Sequence, residues 1–274
     1  MNDTLWTITD LEGVSKVKGI RAYKKCFLAF PLVVLMNINC LKRQEPGDFS
    51  GTLNDLFLSN LFGKQGTENP GRFLLVLSFM SMAFVLIFAI LCGMEIYREL
   101  FGTGIYTLIR VKNKEKWITS LVFGLMKKTL VFSVLYSITT LVAEQYKTQL
   151  PMDENTVFAL FLSIMFVFMA TYFIALAINY FSICYNTSIG SLGGGLLLLV
   201  LVVEALFHKK IPWFGTMENT YYLNPLSMIN LFYDTNKWKV VAFLLYYMVL
   251  LVLISVGFVR QVVKKDIKLL AEDV

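Results

Sequence analysis

Histidine is all but missing from this chain: His208 is the only one in 274 residues. A single histidine rules out an HExxH metal site. No GxSxG elbow and no GxxxxGK[ST] phosphate loop occurs either, so zinc hydrolysis, serine hydrolysis and nucleotide chemistry lack their usual residues. Gly193-Gly194-Gly195 heads an apolar run with no lysine after it, and does not substitute for a phosphate loop. The four cysteines, Cys26, Cys40, Cys92 and Cys184, lie in or at the edge of apolar runs without CxxC or Cys/His spacing. They read as small packing residues, not as a disulfide framework or a metal site. The first twenty residues hold no continuous apolar stretch of the kind a cleavable leader needs, so insertion falls to the first true span. No internal repeat at a fixed period stands out, which weighs against an inverted-repeat transporter.

Charge is scarce too, at 16% of residues against about 25% in soluble domains. What fills the space is apolar: 57% hydrophobic residues and a mean hydropathy of +0.64. These values predict an all-α integral membrane protein, a single transmembrane domain over residues 1–274. A spanning helix needs about 20 residues to cross a hydrocarbon core about 30 Å thick. Six apolar runs approach that length, near Lys25–Leu41, Phe73–Ile96, Trp117–Val142, Val157–Phe181, Ile189–Phe207 and Val240–Val259. Lys127 and Lys128 interrupt the third. Snorkelling at the inner interface would put its true start one or two turns after Trp117.

The net charge of +6 belongs to membrane orientation, not to a nucleic-acid partner. With the N-terminus inside, the inner segments (1–25, 98–128, 182–188 and 260–274) hold 16 Lys and Arg and the outer segments hold 9, together all 25. Both termini are expected in the cytoplasm. Residues 1–25 carry Lys16, Lys18, Arg21, Lys24 and Lys25, and Thr9 with Glu12 fits a capping box, which together suit a helix on the anionic inner surface. A partly ordered basic tail fits the same residues. The outer loop 208–239, with Trp213, Tyr221, Tyr222 and the run YLNPLSMINLF, is apolar enough for a helical segment in the interface or a hairpin packed on protein.

The stretch 98–116 between the second and third spans stands apart. Arg98, Arg110, Lys112, Lys114 and Lys116 set five cations between two apolar segments. Gly102 and Gly104 are expected to stop the outgoing helix. Asn113 is placed to cap a new one, with Glu115 in its first turn. The product is a basic elbow able to take a mechanical push from a soluble partner.

In order along this elbow stand Arg98-Glu99, Gly102-Thr103, an apolar run Ile105–Ile109, a basic turn Arg110–Lys116 and a helix start at Trp117. This succession resembles the permease subunits of the type-2 ATP-binding-cassette (ABC) transporters. So does the layout of six spans, an N-terminal surface helix and a helical outer segment between spans five and six. The family often carries a lysine about four residues after the position of Trp117. Here Leu121 stands there, and the lysines come at 127 and 128. The resemblance implies a subunit with no catalysis of its own, and ATP and magnesium held by separate ABC ATPase subunits. The elbow would dock on those subunits through Glu99, Gly102, Arg110, Lys112, Lys114 and Trp117. A second permease copy or a sister permease would complete the complex.

Two smaller features carry alternatives. Gly190-x-x-x-Gly194 and Ser191-x-x-x-Gly195 give the small-residue spacing that lets helices approach in lipid. They suit either a dimer contact or packing within the chain. Glu204 and His208 are one helical turn apart and suit either a satisfied interfacial pair or a proton-handling site. Glu95 and Glu144 fall at span ends, where water or headgroups reach them. No carboxylate falls squarely at mid-membrane, where proton- or sodium-coupled carriers usually need one.

The expected function is export of an amphipathic substrate (a peptide, toxin, lipid-linked molecule or drug, with an antimicrobial peptide first) across a bacterial cell membrane. The span faces are apolar and aromatic, with almost no charge to hold a polar solute. An ion-coupled carrier or channel is the alternative, and an integral membrane enzyme a third.

Overall fold

The computed structural model describes residues 23–36, 83–103, 113–149, 152, 154–207, 224 and 237–272. Among them the chain is helical, with no strand. A 3-10 turn, Lys24–Leu28, leads into α1, Ala29–Met36. Then come α2, Ala83–Gly93, a short α3, Glu95–Arg98, and a π turn, Glu99–Thr103. The long helices follow: α4, Lys114–Thr148; α5, Glu154–Cys184; α6, Thr187–Phe207; and α7, Lys237–Glu272.

Among the described residues, four helices are long and apolar enough to cross a membrane, in the stretches Lys114–Tyr146, Thr156–Cys184, Thr187–Glu204 and Val240–Lys264. The described parts of α1 and α2 are shorter, 8 and 11 residues. At 1.5 Å per residue, the 35 residues of α4 reach about 50 Å, well beyond one hydrocarbon thickness.

The hub is α5, which packs on α2, α4, α6 and α7. Its apolar residues run all round the cylinder, the pattern of a helix buried on every side. Its contact with α6 is set by glycine. A Cβ on Gly190 would overlap the Ser182 hydroxyl and lie 2.9 Å from the Ile178 carbonyl oxygen, and one on Gly194 would overlap the Ile178 side chain. Gly93 of α2 meets the same residue, its Cβ position 2.9 Å from Ile178 Cβ. Ile178 is thus held between bare backbone of two helices. The small-residue spacing at Gly190 and Gly194 is used inside the chain. Gly195 faces Leu86 of α2 at an ordinary 3.9 Å.

The start of α4 follows its local sequence. Asn113 adopts an extended backbone, and its side chain accepts a hydrogen bond from the Lys116 amide at 3.0 Å, with Glu115 in the first turn. The regular helix ends before Gly102, and Gly104 lies outside the described residues. The chain breaks earlier, at Met94, restarts as α3, and widens into the π turn that contains Gly102.

Candidate functional site

The break at Met94 needs compensation, because a helix start leaves amide groups without intrahelical partners. Asn179 of α5 supplies one. Fully buried, it accepts from the Tyr97 amide at 3.3 Å through Oδ1 and donates to the Ala175 carbonyl at 2.9 Å through Nδ2. The base of the elbow is therefore fastened to the hub.

A second fastening is ionic. Glu95, the first residue of α3, receives Lys25 Nζ on Oε1 at 2.8 Å and Lys128 Nζ on Oε2 at 2.5 Å. Lys25 also donates to the Leu91 carbonyl at 2.7 Å, capping the last turn of α2. The Cys26 thiol lies 3.4 Å from the Lys128 carbonyl oxygen. One carboxylate thus joins the start of the first apolar run, the end of the second and the middle of α4. The side chains of Lys25, Glu95 and Lys128 are 35%, 22% and 21% exposed, so the cluster is shielded but not sealed.

Water still reaches Glu95, as expected at a span end, but the carboxylate is also ion-paired, and Lys128 turns its ammonium onto it. Lys127 does point outward, over the Phe123 ring at 4.5 Å. Below the cluster a cavity of about 280 Å³ opens between α3, the π turn and α4, with Arg98, Glu99, Ser120, Gly124 and Lys128 among its walls.

The proposed docking residues separate. Glu99 is exposed beside the cleft, Lys114 is half-buried, and Trp117 is half-buried against the core. Gly102 lies in the π turn. Arg110 and Lys112 lie outside the described residues, as do 1–22 and all of the outer loop 208–236 except Asn224.

One carboxylate differs from expectation. Glu144 of α4 is fully buried, at the end of a buried polar stripe formed by Thr129, Ser133, Ser137 and Thr140. Glu204 is 8% exposed, and its described partner is Asn224, whose Nδ2 reaches Glu204 Oε2 at 3.3 Å and the Leu201 carbonyl at 2.8 Å. His208 lies outside the described residues. Tyr247 of α7 donates to the Asn224 carbonyl at 2.7 Å, so this cluster ties α6 to α7.

Elsewhere a groove of about 340 Å³ runs between α5 and α7, walled by Phe173, Tyr180, Phe181 and Phe258, with Gly257 and Gln261 at its edge. No protein-family model, no curated protein and no solved structure matches this chain.

Proposed function

We propose that this chain is the six-span permease subunit of an ABC-type exporter in the cell membrane, with both termini in the cytoplasm. Separate ATPase subunits supply the ATP and magnesium chemistry, and a second or sister permease completes the assembly. The carrying observation is the ion-paired root of the elbow. Lys25, Glu95 and Lys128 fix three apolar segments at one depth, and the first turns of α4 continue beyond that depth. From Lys128 to Thr148 the helix rises about 30 Å, one hydrocarbon thickness, and from Lys128 back to Lys114 about 21 Å. Span three then starts about three turns after Trp117, later than the sequence alone suggested. The projecting end, with the π turn, makes a lever whose tip carries exposed Glu99, Glu115 and Lys116. Rigid-body movement of such a tip would pass through Glu95 and Asn179 into the bundle. The aromatic groove between α5 and α7 suits an apolar portion of the cargo.

The test is charge reversal at the tip, Lys114→Glu with Lys116→Glu, followed by co-purification with the cognate ATPase. We expect about tenfold weaker capture and loss of substrate-stimulated ATP turnover, with folding intact because Lys116 is exposed, Lys114 only half-buried, and both lie in the first turn of α4, where a carboxylate suits the helix dipole. Unchanged capture and unchanged turnover would remove the coupling role.

Burial of Glu144 favours a second reading, an ion-coupled carrier, since a carboxylate inside a bundle is the group such carriers use. Under that reading Glu144→Gln and an ionophore each abolish transport, and loss of ATPase activity does not. Under the exporter reading the ionophore leaves transport running.

A further inference from the structure

The cleft beside the ion-paired cluster is lined by two cations, Arg98 and Lys128, and two carboxylates, Glu95 and Glu99, and Lys25 adds a third cation on Glu95 from outside the lining. Glu95 is already shared by two lysines. Lys128 keeps two further N–H donors, and the Arg98 guanidinium has only the Met94 sulfur, at 4.0 Å, among the described residues. Ser120 adds a hydroxyl on the same wall. The apolar part of the lining is Leu121 with the buried Ile96 and Leu125. Gly124 leaves the space open, since a Cβ there would meet nothing within 4 Å. A charged, donor-rich rim over an apolar floor, at the end of the membrane-crossing part of α4, has the chemistry of a lipid headgroup with the start of its chains.

We propose that this cleft binds the phosphodiester of an anionic glycerophospholipid from the inner leaflet, with Arg98 and Lys128 on the phosphate and Ser120 beside it. Free phosphate shares that chemistry, but it would leave the apolar floor unused. The inference rests on where the bilayer lies, not on an ATPase partner. It is read on the chain alone, so the two can fail separately.

The experiment is native mass spectrometry of the full chain in mild detergent, titrated with dioleoylphosphatidylglycerol, dioleoylphosphatidylcholine or inorganic phosphate. One phosphatidylglycerol should bind with clear preference over phosphatidylcholine. Arg98→Gln should weaken it about fivefold, the effect of one interfacial cation. Gly124→Leu should fill the cleft and abolish binding while helicity and thermal stability hold. Equal binding of the two lipids, undiminished binding in Gly124→Leu or in Arg98→Gln, or displacement of lipid by millimolar phosphate would each overturn the assignment.

Discussion

The spans in α5 and α7 are near twins in composition and opposites in position. Within Thr156–Cys184 and Val240–Lys264, 18-residue windows have hydropathies of 2.4 and 2.6, yet 61% of the first window is buried inside the molecule and 22% of the second. Lipid is as apolar as leucine, so hydropathy finds both and ranks neither. The difference lies in the residues hydropathy ignores. α5 buries Thr156, Ser163, Thr171, Asn179 and Ser182, and offers Ala159, Ala170 and Ala175 to its neighbours. α7 shows the outside Val249, Val252, Leu253 and Val256. Small and hydroxyl-bearing residues let backbones approach, while large aliphatic residues suit the surrounding chains.

The contrast breaks hardest at glycine. Gly194→Leu drives a side chain into Ile178, which cannot retreat because Gly93 backs it from the other side. Overpacking at a site without slack costs about 3 kcal/mol. Gly257→Leu on α7 meets open space, since its Cβ position has no neighbour within 4 Å. We expect the first variant to lose its cooperative thermal transition in detergent and the second to melt as the parent does. Equal melting would mean that the α5–α6 contact is looser than its geometry.

Truncation probes the same contrast more gently. Phe166 of α5 is 1% exposed and Leu253 of α7 is 62% exposed. In a bilayer the unfolded side chain already sits in lipid, so Phe166→Ala loses packing and opens a cavity without a water-transfer term. About 2 kcal/mol follows from the cavity alone. Leu253→Ala removes contacts with lipid only and should cost under about 0.5 kcal/mol. Steric trapping or urea titration in micelles measures both.

Local features of this architecture could be read from residues close together in the chain. Asn113 and Lys116 are three apart, and the cap expected of them is the cap observed. The four long helices likewise follow from continuous apolar runs. What escaped was non-local. Glu95 meets Lys25 and Lys128 across 70 and 33 positions, and no spacing rule encodes that. A signal was present: opposite charges interrupting three apolar runs near the same expected depth. Glu204 was read against His208, which lies outside the described residues, and its contact with Asn224, twenty residues on, had no local signal. Gly190 and Gly194 announced close packing, but only the folded chain shows that Ile178 and Ser182 receive it.

The mildest probe sits where the two contrasted helices touch. Tyr172 of α5 and Ser255 of α7 form a hydrogen bond of 2.9 Å, and Ser255 also donates to its own helix at the Leu251 carbonyl, 2.7 Å away. Tyr172→Phe therefore leaves no orphan, because the serine keeps its backbone partner and the ring keeps its place. The loss is the net worth of one hydrogen bond, about 0.5–1 kcal/mol. Ser255→Ala strands the buried tyrosine hydroxyl instead and should cost more, about 1–3 kcal/mol. A double variant no worse than Ser255→Ala would show the two groups acting as one link. Additive losses would show that α7 is held to α5 by packing alone, and that the outward helix is even less committed to the bundle than its exposure implies.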